Sequence, residues 1–368
     1  MTRGPGAAPD GEPPAHPWAD DRPARGGARG VRTSWTAAAG RLWSAWGIPL
    51  LLVALTIVAA VVDPSFVSPS NLSAMLRESA YVGIAAAGMT VALMSGTFDL
   101  SVGGQLALIS VVSLMGYAAG GSVAAIVAAV LMGLACGLVN GLIITRLRVT
   151  PFVATLGTLF LFRGIAYALT ADGPKKLPYS EIGSLYVQVG SGDILGIPVP
   201  FVLMLVVYGV AWVLLRRTIT GRRIIAYGSS PVAARFCGIS GDRVRLFVFC
   251  LVGLTVGIAA LTYVTRIWTA DGGTQDGFEL KVIAAAVLGG TSLRGGRGTL
   301  LGTFCAVLLL SGLNDFLVSQ HVEASYQRIV LGAVLIAALA IDGLRTRRAT
   351  AGPGRRSRWR RKEVVPAS

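Results

Sequence analysis

Long apolar runs alternate with short polar or basic breaks from Leu42 to Ile341, and this alternation predicts an all-α, polytopic membrane protein. A span needs about 20 apolar residues to cross about 30 Å of hydrocarbon. Runs that approach this length are Leu42–Val62, Ala80–Thr97, Gly104–Ala119, Val123–Thr145, Pro151–Leu169, Val199–Leu215, Val244–Val264, Thr299–Val318 and Ala324–Ile341. Val282–Thr291 is too short unless Gly289 and Gly290 continue a helix that ends near Arg294. The pattern thus gives about ten spans, or about eight or nine if one segment is re-entrant. The third and fourth runs are parted only by a Gly-Gly-Ser turn at Gly120–Ser122. Gly133, Gly137 and Gly141 recur at every fourth position of the fourth run, a spacing that lets helix backbones approach closely.

Charge orients this bundle. Arg146 and Arg148 follow the fourth run, Arg216, Arg217, Arg222 and Arg223 the sixth, and Arg294 and Arg297 the eighth. With ten spans they share one side with both termini, and the positive-inside rule makes that side cytoplasmic. The opposite loops, Asp63–Ser79, Thr170–Pro198 and Thr265–Leu280, carry balanced charge. Residues 1–41 are rich in Pro, Gly, Ala and Arg and read as a disordered cytoplasmic tail, not as a signal peptide. Residues 42–342 form the membrane domain, and 343–368 form a basic tail. The net charge of +15 is concentrated at such edges, which fits topology and contact with anionic lipid and argues against nucleic acid. Cys136, Cys250 and Cys305 fall inside apolar runs and read as packing residues.

The cytoplasmic loop 216–243 holds the most unusual segment, GRRIIAYGSSPVAARFCGIS (Gly221–Ser240). Ser230 can N-cap a helix, Pro231 suits its first position, and Gly238 suits a left-handed stop. Between those signals, through Val232, Ala233, Ala234, Arg235 and Phe236, lies little more than about two turns, with Val232 and Phe236 on one side. So short a helix is unstable alone in water. It is either a knob that fits a groove on another protein or an amphipathic helix lying at the membrane surface.

Enzymatic constellations are lacking. There is no Walker-type phosphate loop, and Gly295-Gly296-Arg297-Gly298 reads as a tight turn. The two histidines, His16 and His321, lie outside the apolar runs, so neither a Ser/His/Asp set nor a metal site is expected. Transport energy then comes from a partner or an ion gradient. Ionisable residues that could serve coupling are few: Asp99, Arg163 and Asp315. Asp99, in a break between two runs, reads as a cap for the next helix ahead of a coupling group. Arg163 lies about 18 Å into its span at 1.5 Å per residue. Facing lipid there would cost about 2.5–3.5 kcal/mol, so it faces a cavity or a partner, or it snorkels outward. Asp315 reads as solvated. Thr90, Asn140, Phe152, Thr155, Thr158, Arg163 and Asn314 are the candidate translocation path; each polar member can equally bond a neighbouring helix.

Four runs resemble a known family. GMTVALMSGTFDLSVGG (Gly88–Gly104), NGLIITRLRVTPFVATLGTLFLFRG (Asn140–Gly164), the Gly221–Ser240 segment and GFELKVIAAAVLGGTSLRGGRG (Gly277–Gly298) are similar to the permease subunit of ribose/xylose-type sugar ABC importers. The resemblance covers roughly Ser79 to Asp342. It implies a homodimeric or pseudodimeric pore in the bacterial cytoplasmic membrane, with a second permease copy or a paralogue. It further implies a cytoplasmic ATPase that uses ATP and Mg, and an extracellular sugar-binding protein. The chain itself would bind no cofactor. Ser230–Gly238 would be the helix that couples to the ATPase. Asp99, Ser101, Gly103, Glu279, Gly289, Gly290, Gly295 and Gly296 match the family's structural motifs. Thr97, Lys281 and Asp315 depart from its usual pattern, which leaves a branched-chain amino-acid or nucleoside permease as the alternative, with an ion-coupled transporter behind it.

Overall fold

The computed structural model describes residues 1–2, 35–323, 325–330, 332–334 and 336, the backbone alone for 35–46. The expected tails and most of the last expected span, Ala324–Ile341, lie outside the described residues. The chain falls into two compact units, Met1–Trp43 and Ser44–Ser368. Of the first, only Met1, Thr2 and the helical backbone from Trp35 are described.

Helices α1 (Trp35–Val62), α2 (Pro69–Met94), α3 (Val102–Arg146), α4 (Pro151–Leu169), α5 (Leu185–Ser191), α6 (Val199–Arg217), α7 (Ile219–Ser229), α8 (Pro231–Phe236), α9 (Gly241–Ile267), α10 (Phe278–Leu288) and α11 (Leu300–Ser319) make up almost all regular structure among the described residues. The remainder is helical backbone at 325–330, 332–334 and 336, two short 3-10 turns and four two-residue strands, β1 (Lys175–Lys176), β2 (Asp193–Ile194), β3 (Ile197–Pro198) and β4 (Thr269–Ala270). Of the helices, α3, α4, α6, α9 and α11 are each long and apolar enough to cross a membrane. The chain is therefore an all-α, multi-pass membrane protein.

Several helix starts follow local chemistry. Ser68 accepts from the Asn71 amide and precedes Pro69, Ser240 accepts from Arg243, and Thr299 accepts from Gly302. Helix α3 departs from helical geometry at Gly120 and Gly121, whose φ of 70° needs glycine, and folds back so that Ser113 Oγ donates to Ala125 O at 3.2 Å. The expected turn at Gly120–Ser122 is thus present, and α3 is a helical hairpin.

Two expectations change. The second span was expected from Ala80, with Asp63–Ser79 as loop, yet α2 begins at Pro69. Its polar first turns stay helical because their side chains find partners. Asn71 donates to Asp315 at 2.7 Å, Arg77 pairs with Asp193 at 2.6 Å, and Glu78 lies 3.6 Å from Arg266. The eighth span does not continue through Gly289 and Gly290. Helix α10 stops at Leu288 and Gly290 turns left-handed at φ 90°. Eleven residues rise only about 16 Å, roughly half a bilayer core.

The connecting segments sort into two ends. At one, β1 pairs antiparallel with β4, joining the two long loops expected outside. At the other, the Gly296 amide donates to Met94 O at 2.9 Å, and a Cβ on Gly228 would lie 1.9 Å from that same oxygen. There the C-terminal ends of α2 and α7 meet the loop after α10 backbone to backbone.

The α3–α9 contact organises the core, and the glycine stripe lies along it. A Cβ on Gly133 would stand 2.4 Å from Gly253 O, one on Gly137 2.3 Å from Phe249 O, and one on Gly253 2.1 Å from Gly133 O. Facing backbone cannot retreat as a side-chain tip can, so overpacking here should cost at least about 1–3 kcal/mol. Gly253→Ala is expected to lower the melting temperature of the solubilised protein measurably. Gly209→Ala on α6, which meets nothing within 4 Å, should not. Equal melting temperatures for the two variants would refute the close approach.

Candidate functional site: an exposed knob and two polar centres

The basic segment after α6 folds as two helices, α7 and α8. Helix α7 was not anticipated, although Ile224 and Tyr227 one turn apart, both buried, beside exposed Arg222 and Arg223 are an amphipathic signal. Ser230 breaks the two apart with extended backbone, and its hydroxyl accepts from the Ala233 amide at 3.3 Å. Pro231 occupies the first turn and Gly238 ends the segment at φ 75°. Ala234 alone among residues 231–238 is buried. Pro231, Val232, Ala233 and Arg235 face outward, as does the free thiol of Cys237. Phe236 is 89% exposed. A large aromatic is thus held outside on a short capped helix, at the end of the molecule where Gly96, Gly228 and Gly295 converge.

The first polar centre fills the break between α2 and α3. Asp99 is fully buried. Its Oδ1 accepts from the Ser101 amide at 2.8 Å and the Ser101 hydroxyl at 2.6 Å. Its Oδ2 accepts from Gln105 Nε2 at 2.9 Å and Asn140 Nδ2 at 3.1 Å. The N-cap position of α3 is Ser101, with no side-chain cap bond, so Asp99 is not the cap that was expected; it ties the approach to α3 to the returning half of the same hairpin. Gln105 was missed, though its place one turn after Ser101 on the same helix is a readable signal.

The second centre joins α3, α4 and α10. Arg163 Nη1 bonds Asp276 Oδ1 at 2.5 Å, and only 13% of its side chain is exposed. Gly103 is where Glu279 passes over α3: a Cβ there would lie 2.0 Å from Glu279 Oε2. Arg163 therefore has a carboxylate partner, but that partner, Asp276, has 85% of its side chain exposed and is not internal. Asp276 was missed, and a partner 113 positions away leaves no local signal.

The other candidate path residues are distributed unevenly. Thr90 is buried, back-bonds to Ala86 O and lies 2.9 Å from the Thr303 hydroxyl. Thr155 and Thr158 are buried and back-bond to Pro151 O and Thr155 O within α4. Asn140 belongs to the Asp99 centre. Phe152 is half exposed and meets Phe98 edge-on at 6.3 Å. Of these candidates only Asn314 lines a described cavity of about 600 Å³, with Tyr81, Asp276 and Glu279. Asp315, expected to be solvated, is held by Asn71. Of the glycines, Gly289 abuts Thr303 N, where a Cβ would come within 2.3 Å; Gly295 and Gly296 adopt φ of 86° and 74°.

Residues 71–339 match the family described as branched-chain amino acid transport system / permease component. The chain belongs to this permease family. Among curated relatives, it is 40% identical to the ribose import permease protein RbsC of Bacillus subtilis (strain 168), over 79% of this chain and 90% of that protein. It is 37% identical to the Escherichia coli (strain K12) ribose import permease, over 79% and 92%. It is 33% identical to the L-arabinose ABC transporter permease protein AraH of Azospirillum brasilense, over 81% and 87%. No solved structure matches. The permease is a transport subunit and not itself an enzyme, and five of its described helices are long and apolar enough to cross a membrane. The resemblance drawn from the four motif runs is thereby borne out at the level of family.

Proposed function

We propose that this permease is the membrane subunit of an ABC importer that moves a monosaccharide, a pentose or related sugar, across the bacterial cytoplasmic membrane. A separate ATPase, using ATP and Mg, docks on α8; an extracellular sugar-binding protein delivers cargo at the β1–β4 end. The bundle has about ten spans with both termini cytoplasmic, contacts anionic lipid through its basic edges, and pairs with a second copy or a paralogue. The observation that carries this reading is Phe236, 89% exposed on a short capped helix, where a groove on the ATPase would cover the ring. The sugar class rests on the relatives named for ribose and arabinose import. The family's description keeps a branched-chain amino acid as the second reading.

Reconstitution tests the proposal. The permease alone in proteoliposomes should neither hydrolyse ATP nor move sugar, and adding its ATPase and a loaded binding protein should start D-ribose uptake. Uptake that proceeds without any ATPase would overturn the ABC reading in favour of an ion-coupled carrier. Orientation is checked in sealed, right-side-out cells, with the native cysteines replaced. Cysteines at Ser184 and Gly273 should label from outside and one at Ser229 should not; outside labelling at Ser229 would place α8 on the wrong side for an ATPase.

A further inference from the structure

Four arginines cluster at the corner between α6 and α7: Arg216, Arg217, Arg222 and Arg223, all exposed. None has an ion-pair partner among the described residues, and no acidic residue lies in the chain between Asp193 and Asp242. Like charges gathered in this way repel one another until an anion covers them. The corner cannot spread to relieve them. The Thr218 hydroxyl accepts from the Gly221 amide at 3.0 Å and donates to Leu214 O at 2.7 Å. A Cβ on Gly221 would lie 2.1 Å from that same oxygen, so α7 starts hard against the end of α6. The backbone thus holds the two arginine pairs on either side of a fixed turn.

Helix α6 itself gives the level of this corner in the membrane. Val206, Val210 and Val213 are exposed, and with Arg217 they follow the alternating four- and three-residue spacing of one helix face. An open apolar face on a membrane span meets acyl chains, and where it changes to arginine the chains give way to headgroups. Trp212 stands at that boundary, half exposed, with the Arg217 guanidinium 5.8 Å from its ring centre. Trp favours this level of a bilayer because its ring suits the chains and its N–H the headgroups. Ile219, also exposed, then returns an apolar side chain between the two arginine pairs. A free phosphate or an acidic protein rim would neutralise the arginines but leave Trp212 and Ile219 uncovered. A second copy docked symmetrically through this corner would set arginine against arginine. An anionic phospholipid meets both demands, with its phosphate on the guanidinium groups and its chains on the valine face.

We propose that the α6–α7 corner is a binding site for an anionic phospholipid, held by Arg216, Arg217, Arg222 and Arg223 beside Trp212. The inference rests on the contact with anionic lipid given above and deepens it, from a general attraction along the basic edges to one site. Helix α7 runs from this corner to Ser230, where α8 begins, so a bound lipid fixes the base from which Phe236 projects.

The test compares two equal losses of charge. The full-length permease is delipidated in detergent and titrated with dioleoylphosphatidylglycerol or dioleoylphosphatidylcholine, and native mass spectrometry reads the affinity for the first lipid retained. Arg216→Gln/Arg217→Gln removes two arginines from the corner, and Arg146→Gln/Arg148→Gln removes two exposed arginines from the end of α3. A basic group beside an anionic lipid surface corresponds to about fivefold in affinity. The wild type is therefore expected to prefer phosphatidylglycerol, and the corner variant to bind it about tenfold or more weakly with phosphatidylcholine unaffected. The α3 variant should keep the wild-type preference. Equal weakening in both variants would leave only the general attraction and overturn the site. A wild type that binds the two lipids alike would overturn the anionic-lipid reading itself. Unchanged phosphatidylglycerol binding in the corner variant would also overturn the site, and a weakened ATPase pull-down would then give these arginines to that partner. Glycerol 3-phosphate, a phosphate without chains, should not displace the lipid; displacement would show a site for soluble anions instead. Should Arg216→Gln/Arg217→Gln fail to insert, Arg222→Gln/Arg223→Gln, which lies past the span, runs the same comparison with the same outcomes.

Discussion

Phe236→Ala is expected to detach the permease from its ATPase while leaving the membrane bundle intact. The ring is 89% exposed and contributes little to the permease's own core, so its removal should not impair insertion. In a partner's groove the same ring would be buried, and full burial of a Phe contributes about 1.5–3 kcal/mol. That corresponds to roughly tenfold to hundredfold in affinity. Arg235, also exposed, can meet at most an acidic rim, and a rim pair is worth about 0–1 kcal/mol. Pull-down of the ATPase and sugar uptake from the same membranes should thus fall far more for Phe236→Ala than for Arg235→Ala. Wild-type pull-down and uptake for Phe236→Ala would mean that α8 is a surface helix and that coupling lies elsewhere.

The short capped helix α8 was legible from sequence because its determinants are local. Ser230, Pro231 and Gly238 act within one turn of their own backbone, and each does in the structure what its chemistry predicts. The same holds for the glycine stripe, whose period of four can serve only one helix face. The turn at Gly120–Gly121 also follows from residues that tolerate positive φ.

Reading failed where the deciding interaction is distant. Hydropathy delayed the start of α2 to Ala80, since Asn71, Arg77 and Glu78 look like loop until their partners on α11, β2 and α9 are known. Glycines at 289 and 290 were allowed to prolong a helix, but Gly289 is small because Thr303 backs onto it, and Gly290 reverses the chain. Arg163 could be told to need a partner from depth alone, whereas which carboxylate supplies it depends on how the segment before α10 folds in. Asp99 was visible as a helix-break residue, but its tie to Asn140 crosses 41 positions of sequence.

The Asp99 centre yields the second large effect, and here two substitutions should diverge. Asp99→Leu leaves the Ser101 amide and the Ser101 hydroxyl without their acceptor in a fully buried site, and leaves the side-chain amides of Gln105 and Asn140 with Ser101 Oγ, 2.8 Å from each, in place of two acceptors. Each buried group left unpaired costs about 1–3 kcal/mol, and some will repartner. Even half of that total is large against a typical stability of about 5–15 kcal/mol. Asp99→Leu should therefore accumulate poorly in the membrane and melt at a lower temperature. Asp99→Asn is different because Gln105 Oε1 and Asn140 Oδ1 are buried acceptors with no donor. Turning those two amides over lets the introduced side-chain amide donate to them, while its oxygen keeps the Ser101 bonds. Asp99→Asn is thus expected to assemble at near wild-type levels and to transport. Normal assembly with abolished uptake would instead mark Asp99 as a group that must ionise during transport, and with it the ion-coupled reading that an ABC permease excludes. Equal damage from Leu and Asn would show that the charge itself, and not the pairing of its donors, holds the break together.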